Sequence, residues 1–449
     1  MDTIVAVATS PGRSALGVIR LSGPQSLKIL RALLHDELFT PEPRRVFLKQ
    51  ITRESGEPLE TSLVTYFEAP HSFTGEDMIE VSCHGSPVIL RRILDLTQSL
   101  GARLAEPGEF TLRACKNGKM NLSQAEAIRD LINARTEAAA VQAARQLNGE
   151  LATALQPAKE ILIRIIVRLE SALEFVEDDL PQVQKEQIEN DLNAVLRIVD
   201  GLALTFATGR ALREGVKVTI VGRPNVGKSS LFNRLVGLDR AIVTEIAGTT
   251  RDSISENISL RGIPISLIDT AGIRVANERI EAIGVERTHQ AMADSDLIVV
   301  VVDGSTKLSA EDLEIVNQAT RAKHVVAINK CDLAIEHGVE EQLGQSLKVP
   351  LSALTGEGLE ELTAAILSPF GIVDSETVGL LITDSRHHDL LSRTQHSLHE
   401  SIQLLRESAS EEIVLVGLHS ALQFLGEITG ETTTEDILTE IFSTFCIGK

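Results

Sequence analysis

Gly222-Arg-Pro-Asn-Val-Gly227-Lys228-Ser229 is the stretch on which the reading of this chain turns. It follows an apolar run, Lys217-Val218-Thr219-Ile220-Val221, and fits G-x-x-x-x-G-K-S with a strand before it and a helix after it. In that setting the glycines let backbone N–H groups wrap a β-phosphate, Lys228 neutralises β/γ charge, and the Ser229 hydroxyl can ligate Mg²⁺. The phosphate contacts are predicted at Asn225, Val226, Gly227, Lys228, Ser229 and Ser230.

Working outward, the remaining parts of a nucleotide site follow in order. A strand at Ile265 to Ile268 ends in Asp269-Thr270-Ala271-Gly272, where Asp269 can hold Mg²⁺ through water and the Gly272 amide can reach a γ-phosphate. Thr249-Thr250 lies between these motifs, where a switch loop supplies a further Mg²⁺ ligand, assigned to Thr250. Val325 to Ile328 leads into Asn329-Lys330-Cys331-Asp332. A carboxylate at Asp332 can accept from the N1–H and N2–H₂ edge of guanine, a donor pair adenine lacks, so the motif selects GTP. Ser352-Ala353, after the strand at Val349, would close the base pocket. Four ordered motifs specify a GTPase domain and resemble the translation-factor-like class of P-loop GTPases. No Gln follows Asp-x-x-Gly to orient water, because Ile273 and Arg274 stand there. Glu278, Glu281 and Glu286 are candidates for that task, with a solvated helix face as the plainer reading.

The chain has 449 residues, enough for two to four domains, and 43% hydrophobic residues, so core volume is not limiting. With 12 Phe, 1 Tyr and no Trp, aliphatic side chains must fill the cores. Lys plus Arg number 43 against 63 Asp plus Glu, a formal charge of −20, which argues against a free-standing nucleic-acid binder. Cys83, Cys115, Cys331 and Cys446 stand far apart, in no metal-ligand spacing, as expected in a reducing cytoplasm. No signal peptide is evident at the N-terminus, and the aliphatic run Leu297 to Val302 suits a buried strand rather than a membrane span. These features predict a soluble, cytoplasmic protein.

On either side of the nucleotide block the character changes. Residues 3 to about 117 read as α+β, with strands at 4–7, 17–21, 46–51 and 62–67 and helices at 26–34 and 87–96. From Leu122 the pattern is helical for nearly a hundred residues: Ser123 to Glu126 has capping-box spacing, and Leu162, Ile165, Ile166, Leu169, Leu173 and Val176 share one face. Pro157 and Pro181 mark expected breaks, and helix resumes after Val373. The pattern predicts a multidomain chain: an α+β N-terminal domain, then an all-α domain interrupted by an inserted α/β P-loop GTPase domain.

Thr3-Ile4-Val5-Ala6 with Pro11-Gly12-Arg13, Phe73-Thr-Gly-Glu-Asp77, Gly108-Glu-Phe-Thr111, the run Asn117 to Ala127 and the terminal Phe445-Cys446-Ile447-Gly448-Lys449 together resemble the MnmE (TrmE) family of tRNA-modification GTPases along essentially the whole length. The resemblance implies a tetrahydrofolate-binding and dimerisation domain at 1–117, a helical domain at 118–213 and 374–449, and a GTPase domain at 214–373. It implies a homodimer that works with an FAD-containing MnmG (GidA) partner, the FAD belonging to the partner only, to place a (carboxymethyl)aminomethyl group on C5 of the wobble uridine of certain tRNAs. The folate-contact positions matched are Arg20, Glu80, Lys119 and Lys449, residue types suited to glutamate carboxylates and a pterin edge. Ser86, after His84-Gly85, stands where that pattern would carry a second glycine.

For the missing Gln the resemblance implies potassium. Asn225 in the phosphate loop matches the family's K⁺-ligating Asn, the loop Thr244, Glu245, Ile246, Ala247, Gly248 and Thr249 matches its potassium-binding segment, with Thr244, Ile246 and Thr249 supplying oxygens, and Glu281 matches a glutamate that positions water indirectly. A hard cation in an oxygen-lined site would stabilise the developing phosphate charge. Cys446 is implied as a nucleophile in one-carbon transfer, against two plainer readings. One is an inert buried thiol. The other is a prenylation box, for which Lys is a poor last residue. The rival function is a regulatory switch without RNA chemistry. It would be marked by an appended basic module, whereas residues 381–449 hold 11 acidic and 4 basic side chains.

Overall fold

The computed structural model describes residues 2–174, 182–238, 254–269, 291–371, 379–431, 438, 441–446 and 448. Two compact units form, Met1–Arg129 with Gly426–Lys449 and Asp130–Leu425.

The first unit is built on β1 (Ile4–Val7), β2 (Leu16–Ser22), β3 (Val46–Thr52), β4 (Pro58–Phe67), β5 (Met78–His84) and β6 (Arg103–Leu104), ordered β3-β4-β5-β2-β1-β6. All neighbours run antiparallel except β1 and β6. Period-two alternation sends Ile19, Leu21, Ile79 and Val81 to one face, where α1 (Ser26–Leu34) and α2 (Pro87–Ser99) bury Ile29, Leu30, Leu33, Leu90 and Ile93 against them. The opposite face carries Arg20 and Glu80, direct partners in the β2–β5 register. There α3 (Glu109–Lys116) buries Phe110 against Ile4, Ala6 and Ala105. Leu122 and Ala125, in the first turns of α4 (Leu122–Asn133), pack with Phe442 and Phe445 of the C-terminal tail.

The expected capping box lies two residues too late. Asn121 Oδ1 accepts from the Gln124 amide at 2.8 Å, and Gln124 Oε1 accepts from the Asn121 amide at 3.0 Å. Ser123 and Glu126 are instead buried inside the helix. Ser86, which precedes α2, takes an ordinary extended conformation with φ −83°, so the position has no need of glycine.

In the second unit, α5 (Glu137–Leu147), α6 (Glu150–Glu174), α7 (Gln182–Ala203) and α8 (Phe206–Glu214) precede the nucleotide block, and α13 (Ser385–Arg406) and α14 (Glu411–Thr429) follow it. Pro157 does not break α6. It is exposed, while Leu155, Ala158, Leu162, Ile165, Ile166 and Leu169 stay buried on the other side. Leu173 is half-buried; Val176 and Pro181 lie outside the described residues. Among the described residues one stretch, Gln184–Glu214, is long and apolar enough to cross a membrane by length and composition. It comprises most of α7 and α8, and Ile188, Leu192, Val195 and Val199 are buried.

The inserted block is a sheet of β7 (Val216–Val221), β8 (Ile254–Leu260), β9 (Ile263–Asp269), β10 (Leu297–Asp303), β11 (His324–Asn329) and β12 (Lys348–Pro350), ordered β12-β11-β10-β7-β9-β8. Only β8 is antiparallel. Leu297 to Val302 is buried along its whole length, as a strand covered by helices on both faces requires. The covering helices are α9 (Lys228–Leu238), α10 (Ala310–Ala319), the short α11 (Val339–Gln342) and α12 (Leu359–Leu367).

Both ends of the insert are tied to the helices. Thr208 Oγ1 lies 3.1 Å from Phe370 O and 3.3 Å from Gly371 O. Arg213 pairs with Asp130 at 3.0 Å and Asp384 at 2.8 Å. Ala139, Ala211, Leu212 and Leu381 belong to the same apolar cluster as β7, β9 and α12.

Candidate active site

Strand β7 ends at the carboxyl edge of the parallel sheet, where open α/β sheets bind ligands. The loop 222–227 turns there into α9, and two glycines make the turn possible. Gly222 has φ +149°, and a Cβ on it would lie 2.3 Å from Val301 O. Gly227 has φ +102°, and its Cβ would meet Asn329 Nδ2 at 2.1 Å. Asn225 takes the left-handed φ of +65°, which Asn tolerates better than most residues. Lys228 is buried, and its Nζ donates to Arg223 O at 2.6 Å, bridging the mouth of the loop.

Ser229 Oγ lies 3.4 Å from Asp269 Oδ2. A hydroxyl from the phosphate loop and a buried carboxylate from the end of β9 thus converge, hard oxygens of the kind Mg²⁺ takes. Ser229 and Ser230 are otherwise exposed at the start of α9.

On the base side, Asn329 donates to Val226 O at 2.8 Å and accepts from the Ala353 amide at 2.9 Å. Ser352 is fully buried, and its Oγ accepts from the Thr355 amide at 3.2 Å. Lys330, at φ +69°, places Nζ 2.5 Å from Asp303 Oδ2. Burial works against the Asp303 carboxylate, yet Lys330 and Ser305 outweigh it and hold its pKa below the usual range. Asp332 is exposed beside them. Every described member of the predicted nucleotide set therefore gathers at one sheet edge.

Two further contacts were not read from sequence. Asp303 steadies Lys330. Arg223 Nε donates to the buried Asp312 Oδ1 at 2.6 Å, while Asp312 also completes a capping box with Ser309 at the start of α10. The carboxylate raises the Arg223 pKa further. The S-x-x-D spacing of Ser309 to Asp312 is the signal that could have found the helix start. Thr244, Glu245, Ile246, Ala247, Gly248, Thr249, Thr250, Thr270, Ala271, Gly272, Glu278, Glu281, Glu286 and Lys449 lie outside the described residues.

In the first unit, Arg20 donates from Nε and Nη2 to Glu80 Oε1 at 3.0 and 2.7 Å. Its guanidinium lies 5.7 Å from the Phe73 ring and 5.8 Å from Phe110, and Nη1 reaches Gly448 O at 3.4 Å. Lys119 is exposed and donates to Pro70 O at 2.9 Å, on the loop that carries Phe73. A cation and a carboxylate side by side suit a ligand with both anionic groups and N–H donors. Cys446 is exposed, whereas Cys83 is buried. Burial pushes Cys83 up to about 11 and Cys115 to about 12, and raises Cys331.

The whole chain is similar to known proteins. Residues 3–119 match the profile described as GTP-binding protein TrmE N-terminus, and residues 122–446 that of the MnmE helical domain. The tRNA modification GTPase MnmE of Aquifex aeolicus (strain VF5) is 46% identical over 100% of both chains. Its namesake from Koribacter versatilis (strain Ellin345) is 43% identical over 100% of this chain and 99% of its own. With a P-loop fold in its insert, and with relatives matched from end to end, the chain belongs to the MnmE family of tRNA modification GTPases.

Proposed function

We propose that this GTPase is activated by potassium and acts as a homodimer in the cytoplasm. With an FAD-containing flavoprotein of the MnmG (GidA) type, it adds a (carboxymethyl)aminomethyl group to C5 of uridine 34 in certain tRNAs. The one-carbon unit comes from a tetrahydrofolate derivative. The observation that carries the reading is the meeting of Arg20, Glu80 and the carbonyl of Gly448, two residues beyond the exposed Cys446, in a chain that also holds a complete phosphate loop.

In this reading Lys228 and the amides of 225–230 hold the phosphates of GTP or GDP, and Asp332 with Ala353 reads guanine. Ser229 and Thr250 hold Mg²⁺, which supplies charge neutralisation at the phosphates. Asn225, Thr244, Ile246 and Thr249 would ligate K⁺, with Thr270, Ala271, Gly272 and Glu281 on the γ-phosphate side. Arg20, Glu80, Lys119 and Lys449 would hold the folate. Cys446 is the reacting thiol, and the acidic surface leaves tRNA binding shared with the flavoprotein.

The test is GTP hydrolysis in KCl and in NaCl at equal ionic strength, over a series of protein concentrations. A strong K⁺ requirement, with activity per subunit rising with concentration, is expected. Equal rates in the two salts would sink the potassium mechanism and favour a simple switch. The modification itself is read as new nucleoside in tRNA incubated with the flavoprotein, folate and an amine, with Cys446→Ser expected to abolish it.

A further inference from the structure

We infer that Gly108 and Gly448 are positioning residues that seat the C-terminal tail bearing Cys446 beside the Arg20–Glu80 pair. The inference rests on the reading of Cys446 as the reacting thiol. A Cβ on Gly108 would lie 2.8 Å from Phe442 O and 3.0 Å from both Phe442 Cδ1 and Phe445 Cβ. Its own amide donates to Cys446 O at 3.4 Å. The residue also takes φ +67° at the start of α3, a conformation Asn would accept. What excludes every side chain there is the tail, not the turn.

The far end is gripped in the same way. Gly448 has φ +97°, and a Cβ on it would come within 2.5 Å of Val7 O and 3.1 Å of Ala8 Cα. Its carbonyl accepts from Arg20 Nη1. Between the two glycines the tail is anchored by Phe442 and Phe445, whose rings lie 5.1 Å apart. Arg129 adds a hydrogen bond to Thr444 Oγ1 at 2.9 Å and lies 5.7 Å from the Phe445 ring. Both rings are buried while Cys446 stays exposed. The thiol is thus fixed by backbone approach on each side without being covered.

The experiment uses the full chain. Cys446 alkylation by iodoacetamide is followed by mass spectrometry with and without 5-formyltetrahydrofolate, and modification is measured with the flavoprotein present. In the unsubstituted protein the folate should slow alkylation by about fivefold or more. Gly108→Ala should lose that protection and lower the modification rate by about tenfold, with GTP hydrolysis kept within about twofold. Gly448→Ala, at the far end of the tail and outside every helix and strand, should lose the protection as well, which keeps the test open if Gly108→Ala fails to fold. Wild-type protection and modification in both glycine variants, or no protection in the unsubstituted protein, would overturn the inference. Full modification by Cys446→Ser would instead overturn the underlying reading of the thiol.

Discussion

Asn329 Nδ2 donates to the Val226 carbonyl across 103 residues of sequence, and the same side chain accepts from the Ala353 amide. One buried amide therefore fastens the phosphate loop to the base-side loop. Asn329→Ala would strand two buried backbone groups, at about 1–3 kcal/mol each. GDP affinity should fall by about tenfold or more, with a lower melting temperature. Asn329→Asp can accept from Ala353 but cannot donate to Val226, so it should also lose affinity. Titration with a fluorescent GDP analogue checks both, and unchanged affinity in both would show that the loops are held by other means.

Gly222→Ala should remove nucleotide binding altogether. Its Cβ would have to sit 2.3 Å from the Val301 carbonyl, and φ of +149° is strained for any side chain. The displaced strand end would carry Asn225, Lys228 and Ser229 with it. Calorimetric titration with GDP, together with a circular dichroism spectrum to establish folding, decides the point.

Acid should loosen the first unit through Asp2. Hydrogen bonding to Arg103 lowers the Asp2 pKa to about 2, against the opposing effect of burial and with help from Arg113. A depressed carboxylate stabilises the fold above its unfolded value of 3.8, and that contribution disappears as pH falls towards 2. Asp2 is half exposed, so the effect is small. Asp2→Asn should lower the urea midpoint at pH 7 and cease to matter near pH 2.

Thiol alkylation at pH 8 should single out Cys446. With Cys83 at about 11 and Cys115 at about 12, their thiolate fractions are on the order of 10⁻³ and 10⁻⁴. Burial slows both further, and Cys331 is shifted the same way. Peptide mapping after brief iodoacetamide treatment should find Cys446 labelled first. Equal labelling of Cys115 would mean that the Leu122–Phe442–Phe445 cluster opens readily.

The nucleotide edge was legible in sequence because its chemistry is local. Gly222 to Ser229 and Asn329 to Asp332 each combine a buried strand with special backbone geometry over a few residues. The helix at 26–34 is legible to the residue, since its apolar spacing is local too. Contacts between distant segments were not legible: Arg223 meets Asp312 across 89 residues, and Lys330 meets Asp303 across 27. Nor does composition disclose which of Asn121 and Ser123 caps a helix, because either can accept the amide. Pro157 misled for a related reason. A local rule against proline in helices yields when one face of the helix is buried over many turns.

The double fastening of the insert has a mechanical consequence. Thr208 holds the end of the chain leaving α12, while Arg213, bound to Asp130 and Asp384, holds the entry and the return into α13. A body hung from one thread can spin without disturbing its support, but one clamped at two separate points transmits torque. A twist of the parallel sheet is therefore expected to turn α8 and α13 with it, as a lever arm would.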